Sequence, residues 1–115
     1  MSDPRGRYAG ALDLFGSGRL EEAAAAMEAI LKEDPGFFDA YEGLAIAYSR
    51  LGNLDRAIEL MEELSRKDPS NVMAHSNLSV FYMKKGMKEK AEEEKAKAMV
   101  LNFKKTADNR PQTTD

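Results

Sequence analysis

An all-α chain is predicted: three antiparallel helix pairs, about six helices, stacked as a solenoid. Three features predict it. Gly18, Gly52 and Gly86 stand 34 residues apart. An Ala follows each of them by five residues, at Ala23, Ala57 and Ala91. Asp-Pro closes the first two units, at Asp34-Pro35 and Asp68-Pro69. A fixed period of this size marks stacked helix pairs, because one pair cannot bury its apolar face without a neighbour.

The copies span residues 4–37, 38–71 and 72–105, with 1–3 as an N-terminal extension and 106–115 as a polar tail expected to be disordered. The middle copy is clearest. Its first helix runs from Phe38 to Tyr48, with Tyr41, Leu44, Ala45 and Tyr48 at i, i+3, i+4 and i+7 on one face. Leu51-Gly52-Asn53 breaks it: Gly52 can adopt the left-handed conformation that closes a helix, and Asn53 can cap the next. The second helix is predicted over Leu54 to Lys67, with Leu54, Ala57, Ile58, Met61 and Leu64 on its apolar side. Pro69 lacks an amide donor and disfavours helix at Asp68, so the helix stops there.

The first copy repeats this pattern through Leu14, Gly18, Leu20, Ala23, Met27 and Ile30. Its first helix holds Gly6, Gly10 and Gly16, each costing roughly 1 kcal/mol relative to Ala in a helix interior. A helix that is short or frayed at its start is expected. The third copy repeats it through Leu78, Tyr82, Gly86, Ala91 and Ala98. Asn102-Phe103 replaces its Asp-Pro, so the last helix is predicted to continue from about Met87 to Lys104. Lys95 fills the slot of Met27 and Met61, and Glu92-Glu93-Glu94-Lys95 is polar. This helix is expected to face solvent and to cap the stack by itself.

Tyr41, Leu44, Ala45, Tyr48, Gly52, Ala57 and Pro69 together resemble the tetratricopeptide repeat (TPR). Three such repeats cover about nine-tenths of the chain. The first copy departs from the pattern with Arg7, Gly10 and Leu14 in the aromatic, Leu and Tyr slots. The resemblance implies a right-handed superhelical solenoid whose first helices line a concave groove that takes an extended peptide or helix of a partner. The small residues Ala11, Ala23, Ala45, Ala57, Ser79 and Ala91 would occupy the tightest helix contacts.

Composition bounds the function. The chain has no Cys and one His, His75, so disulfide and thiolate chemistry are excluded and a zinc or copper site is not supported. No nucleophile elbow, phosphate-binding Gly loop or paired metal ligands appear. His75 fills the repeat's aromatic slot and reads as a packing residue. Glu92, Glu93 and Glu94 point around a helix instead of converging. No enzyme and no cofactor is therefore expected. The charged N-terminus lacks a signal peptide's apolar run, and no stretch is long enough to span a membrane, so a soluble, cytoplasmic protein is expected.

By this register the groove should be lined by Arg5, Tyr8, Leu12 and Phe15 from the first repeat. The second supplies Asp39, Glu42, Gly43, Ile46, Ser49 and Arg50, and the third Met73, Ser76, Asn77, Val80, Met83 and Lys84. The strip Tyr8, Leu12, Phe15, Ile46, Met73, Val80 and Met83 is apolar, and an exposed apolar strip marks a binding surface. The alternatives are that a terminus folds over it, or that some of these residues are core. Family members that bind chaperone C-terminal tails use a cationic two-carboxylate clamp. Here its slots hold Tyr8, Leu12, Gly43, Met73 and Asn77, so that ligand is not expected.

Charge is unevenly spread. The first repeat carries four basic and six acidic residues, the second four and seven, the third eight and four. The basic third repeat interleaves its lysines with glutamates and has no Arg, which suits a solvated helix face and argues against nucleic acid. The same asymmetry permits head-to-tail self-association of exposed solenoid ends into a homo-oligomer, a structural alternative to partner capture.

Overall fold

The structure is a computed structural model describing residues 3–109. These residues form six α-helices and no strand: α1 Pro4–Gly16, α2 Leu20–Glu33, α3 Asp39–Arg50, α4 Leu54–Lys67, α5 Val72–Lys84 and α6 Lys88–Asn109. Each helix packs on the next in sequence. The first helices of successive pairs, α1 with α3 and α3 with α5, also adjoin along one side. The extents are 54 × 39 × 24 Å and the radius of gyration is 15.9 Å. A compact chain of this length would have about 13 Å, so the stack is elongated, as a solenoid requires.

The three period-setting glycines do the same job. Gly18, Gly52 and Gly86 have φ of 80°, 88° and 79°. In each turn the amide three residues past the helix end reaches back five residues: Arg19 to Leu14, Asn53 to Tyr48, Met87 to Tyr82, at 2.8–2.9 Å. This is the glycine-closed helix end that satisfies carbonyls the helix would leave unpaired. Asn53 and Asn71 then accept from the amides of Arg56 and Ala74 and so cap α4 and α5.

Two expectations are corrected. α1 is neither short nor frayed at its start: it spans 13 residues from Pro4. Asp3 caps it by accepting from the Arg5 amide, and Pro at the first helical position costs no hydrogen bond there. Arg7 also pairs with Glu33 on α2. α6 runs beyond Lys104 to Asn109, so residues 106–109, expected to begin a disordered tail, are helical. Nothing in that segment breaks a helix before Pro111. Residues 110–115 lie outside those described.

The core runs along the stack between the two layers. Met27, Ile30, Leu44, Leu60, Met61, Leu64 and Leu78 are fully buried, as are Ala23, Ala45, Ala57 and Ala91. Ser79 replaces Ala at its slot and donates its hydroxyl to the Ala91 carbonyl at 2.8 Å. His75 is mostly buried and its Nδ1 lies 2.7 Å from Glu94 Oε2. It packs between helices as expected, but with a polar partner that the Glu92–Glu94 run did not suggest.

Gly10 has ordinary helical φ and open space where a Cβ would stand. Gly10→Ala should therefore stabilise the protein by roughly 0.5–1 kcal/mol, by limiting the unfolded chain. Denaturant titration checks this, and an unchanged or lower midpoint would contradict it.

Candidate partner-binding face

The residues expected in the groove divide between two clefts, with some lining neither. The first cleft, of ≈ 310 Å³, lies between α1 and α3. Tyr8, Leu12, Phe15, Asp39, Glu42, Gly43, Ile46 and Arg50 line it. The second, of ≈ 730 Å³, lies between α5 and α6. It takes Ser76, Val80, Met83 and Lys84 from α5, with residues of α6 that the groove reading did not include. Met73 and Asn77 line neither cleft. Asn77 instead turns its amide toward Met61 Sδ, 3.8 Å away.

The apolar strip is not uniformly exposed. Leu12, Met73, Val80 and Met83 are 43–50% exposed. Tyr8, Phe15 and Ile46 are half-buried and pack on the core. Tyr8 meets Phe37 edge-on at 5.6 Å. Its hydroxyl would lie 2.9 Å from a Cβ at Gly43, and Met27 only 3.0 Å, so α3 approaches α1 and α2 closely because residue 43 has no side chain. Arg50 stacks over the Phe15 ring at 4.6 Å, a cation–π contact that shields part of the ring. Lys84 Nζ reaches Ser49 Oγ at 3.3 Å and links α5 to α3.

Two ionisable groups in the first cleft are perturbed. Burial raises the Glu42 carboxyl, the Asp39 charge raises it further, and a hydrogen bond from Asn77 works the other way. Burial also raises the Tyr8 hydroxyl, followed by the charges of Glu42 and Asp39. This cleft is therefore apolar at its base and acidic at one rim, with Arg50 opposite. Glu42 favours its neutral form more when folded than when unfolded. Its stabilising contribution is thus present below the unfolded pKa and lost as pH rises through the folded one. Glu42→Gln should be more stable than the parent at neutral pH, and the difference should vanish at about pH 4 and below. Melting curves across that range test it; a gain that persists in acid would contradict it.

The third-repeat helix α6 closes the stack incompletely. Lys95 is exposed, as expected for a solvated helix, yet Val80, Met83 and Met99 remain exposed around the second cleft. This surface is shared between α5 and α6.

The repeat is decided by comparison with known families. The tetratricopeptide repeat pattern matches residues 14–76, more than half of the chain. The chain belongs to the tetratricopeptide repeat family. No curated protein matches the sequence of this TPR chain. Solved structures share its fold. MamA superposes with a TM-score of 0.85 at 24% identity, over 91% of this chain and 61% of that one. The TPR chain thus spans about three-fifths of the MamA structure's length. SycD, a type III secretion translocator chaperone of Yersinia enterocolitica, superposes at 0.84 and 22% identity, over 94% of this chain and 77% of its own. PcrH, solved in complex with the chaperone-binding region of PopB, superposes at 0.86 and 17% identity, over 95% and 90%. Among the described residues, no helix of this TPR is long and apolar enough to cross a membrane.

Proposed function

We propose that this protein is a non-enzymatic interaction module whose inner face, built by α1, α3 and α5, captures an apolar or amphipathic segment of another protein. The observation that carries this reading is the exposure of Leu12, Met73, Val80 and Met83 on the first helices, with Leu12 at a cleft walled by Tyr8, Phe15 and Ile46 and with Val80 and Met83 at the cleft between α5 and α6. Adaptable apolar side chains of this kind suit recognition of a short segment. PcrH, similar in fold, holds a region of PopB, which supports a groove of this architecture as a peptide site. The charges refine the ligand. Asp39 and Glu42 at one end favour a cationic residue next to the apolar anchor, and Lys84 at the other end favours an acidic one.

Leu12→Asp combined with Val80→Asp tests the proposal. Both positions are exposed, so helix content and melting should be preserved. Affinity capture from the cells of origin, with mass-spectrometric identification, should lose the partners that the parent retains. An unchanged partner set would place recognition elsewhere.

A further inference from the structure

The first cleft carries charges at both ends of an apolar base. Asp39 and Glu42 stand in the first turn of α3 and Arg50 in its last, and all three line the cleft with Leu12 and Ile46. Among the described residues none of the three has an ion-pair partner. The repeat does not require the two acids. Their slots hold Arg5 and Tyr8 one period earlier, and Met73 and Ser76 one period later. A helix dipole favours acids at its start, which accounts for exposed Asp39. It does not account for Glu42, half-buried near Tyr8, where a carboxylate loses part of its hydration. Arg50 sits over the Phe15 ring at 4.6 Å, and a guanidinium stacked on a ring can still donate along its edge. Eight residues separate Glu42 from Arg50 on one helix. That is about 12 Å along the axis, the reach of roughly four residues of extended chain.

We propose that the first cleft holds an extended partner segment in which a basic and an acidic residue, about four positions apart, flank an apolar one. The cation lies between Asp39 and Glu42, the apolar side chain against Leu12 and Ile46, and the carboxylate on Arg50. This recognition rests on the inner-face capture proposed above and narrows it. A segment without the two charges leaves Asp39 and Glu42 repelling each other and Arg50 unpaired. Proton uptake then regulates the site. The groups facing Glu42 are Asp39 of its own helix, the Tyr8 hydroxyl of α1 and the Asn77 amide of α5, and none is a cation. Arg5 of α1 is exposed and does not line the cleft. Burial, then the Asp39 charge, holds the Glu42 carboxyl above its usual range. A bound cation favours the ionised form, so binding weakens as pH falls through the Glu42 titration. The segment is held at neutral pH and released in mild acid.

A phage-displayed library of random dodecapeptides, panned on the full chain at neutral pH, tests this. Enriched peptides should carry Lys or Arg and, about four positions away, Asp or Glu, with a large apolar residue between. One of them, synthesised and labelled, should bind Asp39→Lys at least about tenfold more weakly than the parent in fluorescence anisotropy. Asp39 is exposed, so that variant should keep its helix content. Exchanging the peptide's basic residue for Glu should restore binding to it. Between neutral pH and about pH 4.5 the affinity should fall further for the parent than for Glu42→Gln, and an equal fall in both overturns release through Glu42. Enriched peptides that lack a basic residue, yet are lost when Leu12→Asp and Val80→Asp are combined, overturn the charge recognition and leave inner-face capture standing. So does an Asp39→Lys protein that binds the basic peptide like the parent. Peptides that bind the combined variant as well as the parent, or no enrichment at all, overturn both.

Discussion

Met61→Lys should unfold the protein or leave it barely folded, a loss on the order of 4–5 kcal/mol or more. Met61 is 0% exposed and belongs to the continuous core. α4 carries it inward, and Asn77 of α5 lies over its sulfur. An ammonium there would lose its hydration with no carboxylate built to receive it, and burying an unpaired charge is among the most damaging single changes. The chain itself contains the control. Lys95 occupies the same slot one period later and is exposed. The reciprocal Lys95→Met, measured at dilute concentration, should change stability by less than about 0.5 kcal/mol. Denaturant unfolding of the two variants compares one slot with and without a following repeat. A Met61→Lys protein within 1 kcal/mol of the parent would mean that the repeat junction opens to water.

Leu44→Ala should cost about 2–5 kcal/mol and lower the melting temperature by roughly 10 °C. Leu44 is 1% exposed, in the middle helix of the inner layer, with neighbouring pairs on both sides. Removing its branched end leaves a cavity that two packed repeats cannot close, so the lost burial and the lost contacts add. Its counterparts are Leu78, buried in α5, and Gly10, exposed in α1. Identical slots thus run from leucine to glycine according to whether a repeat precedes them. A loss below 1 kcal/mol at Leu44 would show that the helices slide together to fill the gap.

These comparisons explain what could be read along the chain. The turns were legible because their signals are local. A glycine at positive φ, an asparagine accepting from an amide three residues on, and a proline that forbids helix all act within a few residues. The bounds of α4, Leu54–Lys67, follow directly from them. The start of α1 is not legible from helix propensity, because against its three glycines stand the Asp3 cap and the Arg7–Glu33 pair, the second of which joins residues 26 apart. The His75–Glu94 pair is likewise not legible along the chain, since its two groups sit on different helices.

Periodicity states which residues share one side of each first helix, and so yields the list of proposed groove positions. How those positions divide it does not state. Tyr8, Phe15 and Ile46 are drawn partly into the core, because Gly43 lets α3 close on α1 and Arg50 folds over Phe15. Val80 and Met83 belong to a different cleft, whose other wall is α6.

By itself, then, the sequence determined the repeat: its period, its turns, its helix pairs and the small residues at their crossings. All of these depend on backbone conformation and on side chains within one or two helical turns. Only the tertiary structure decided which equivalent slots are covered. Burial is a property of neighbours, and a repeat that reads the same three times has neighbours on both sides only once.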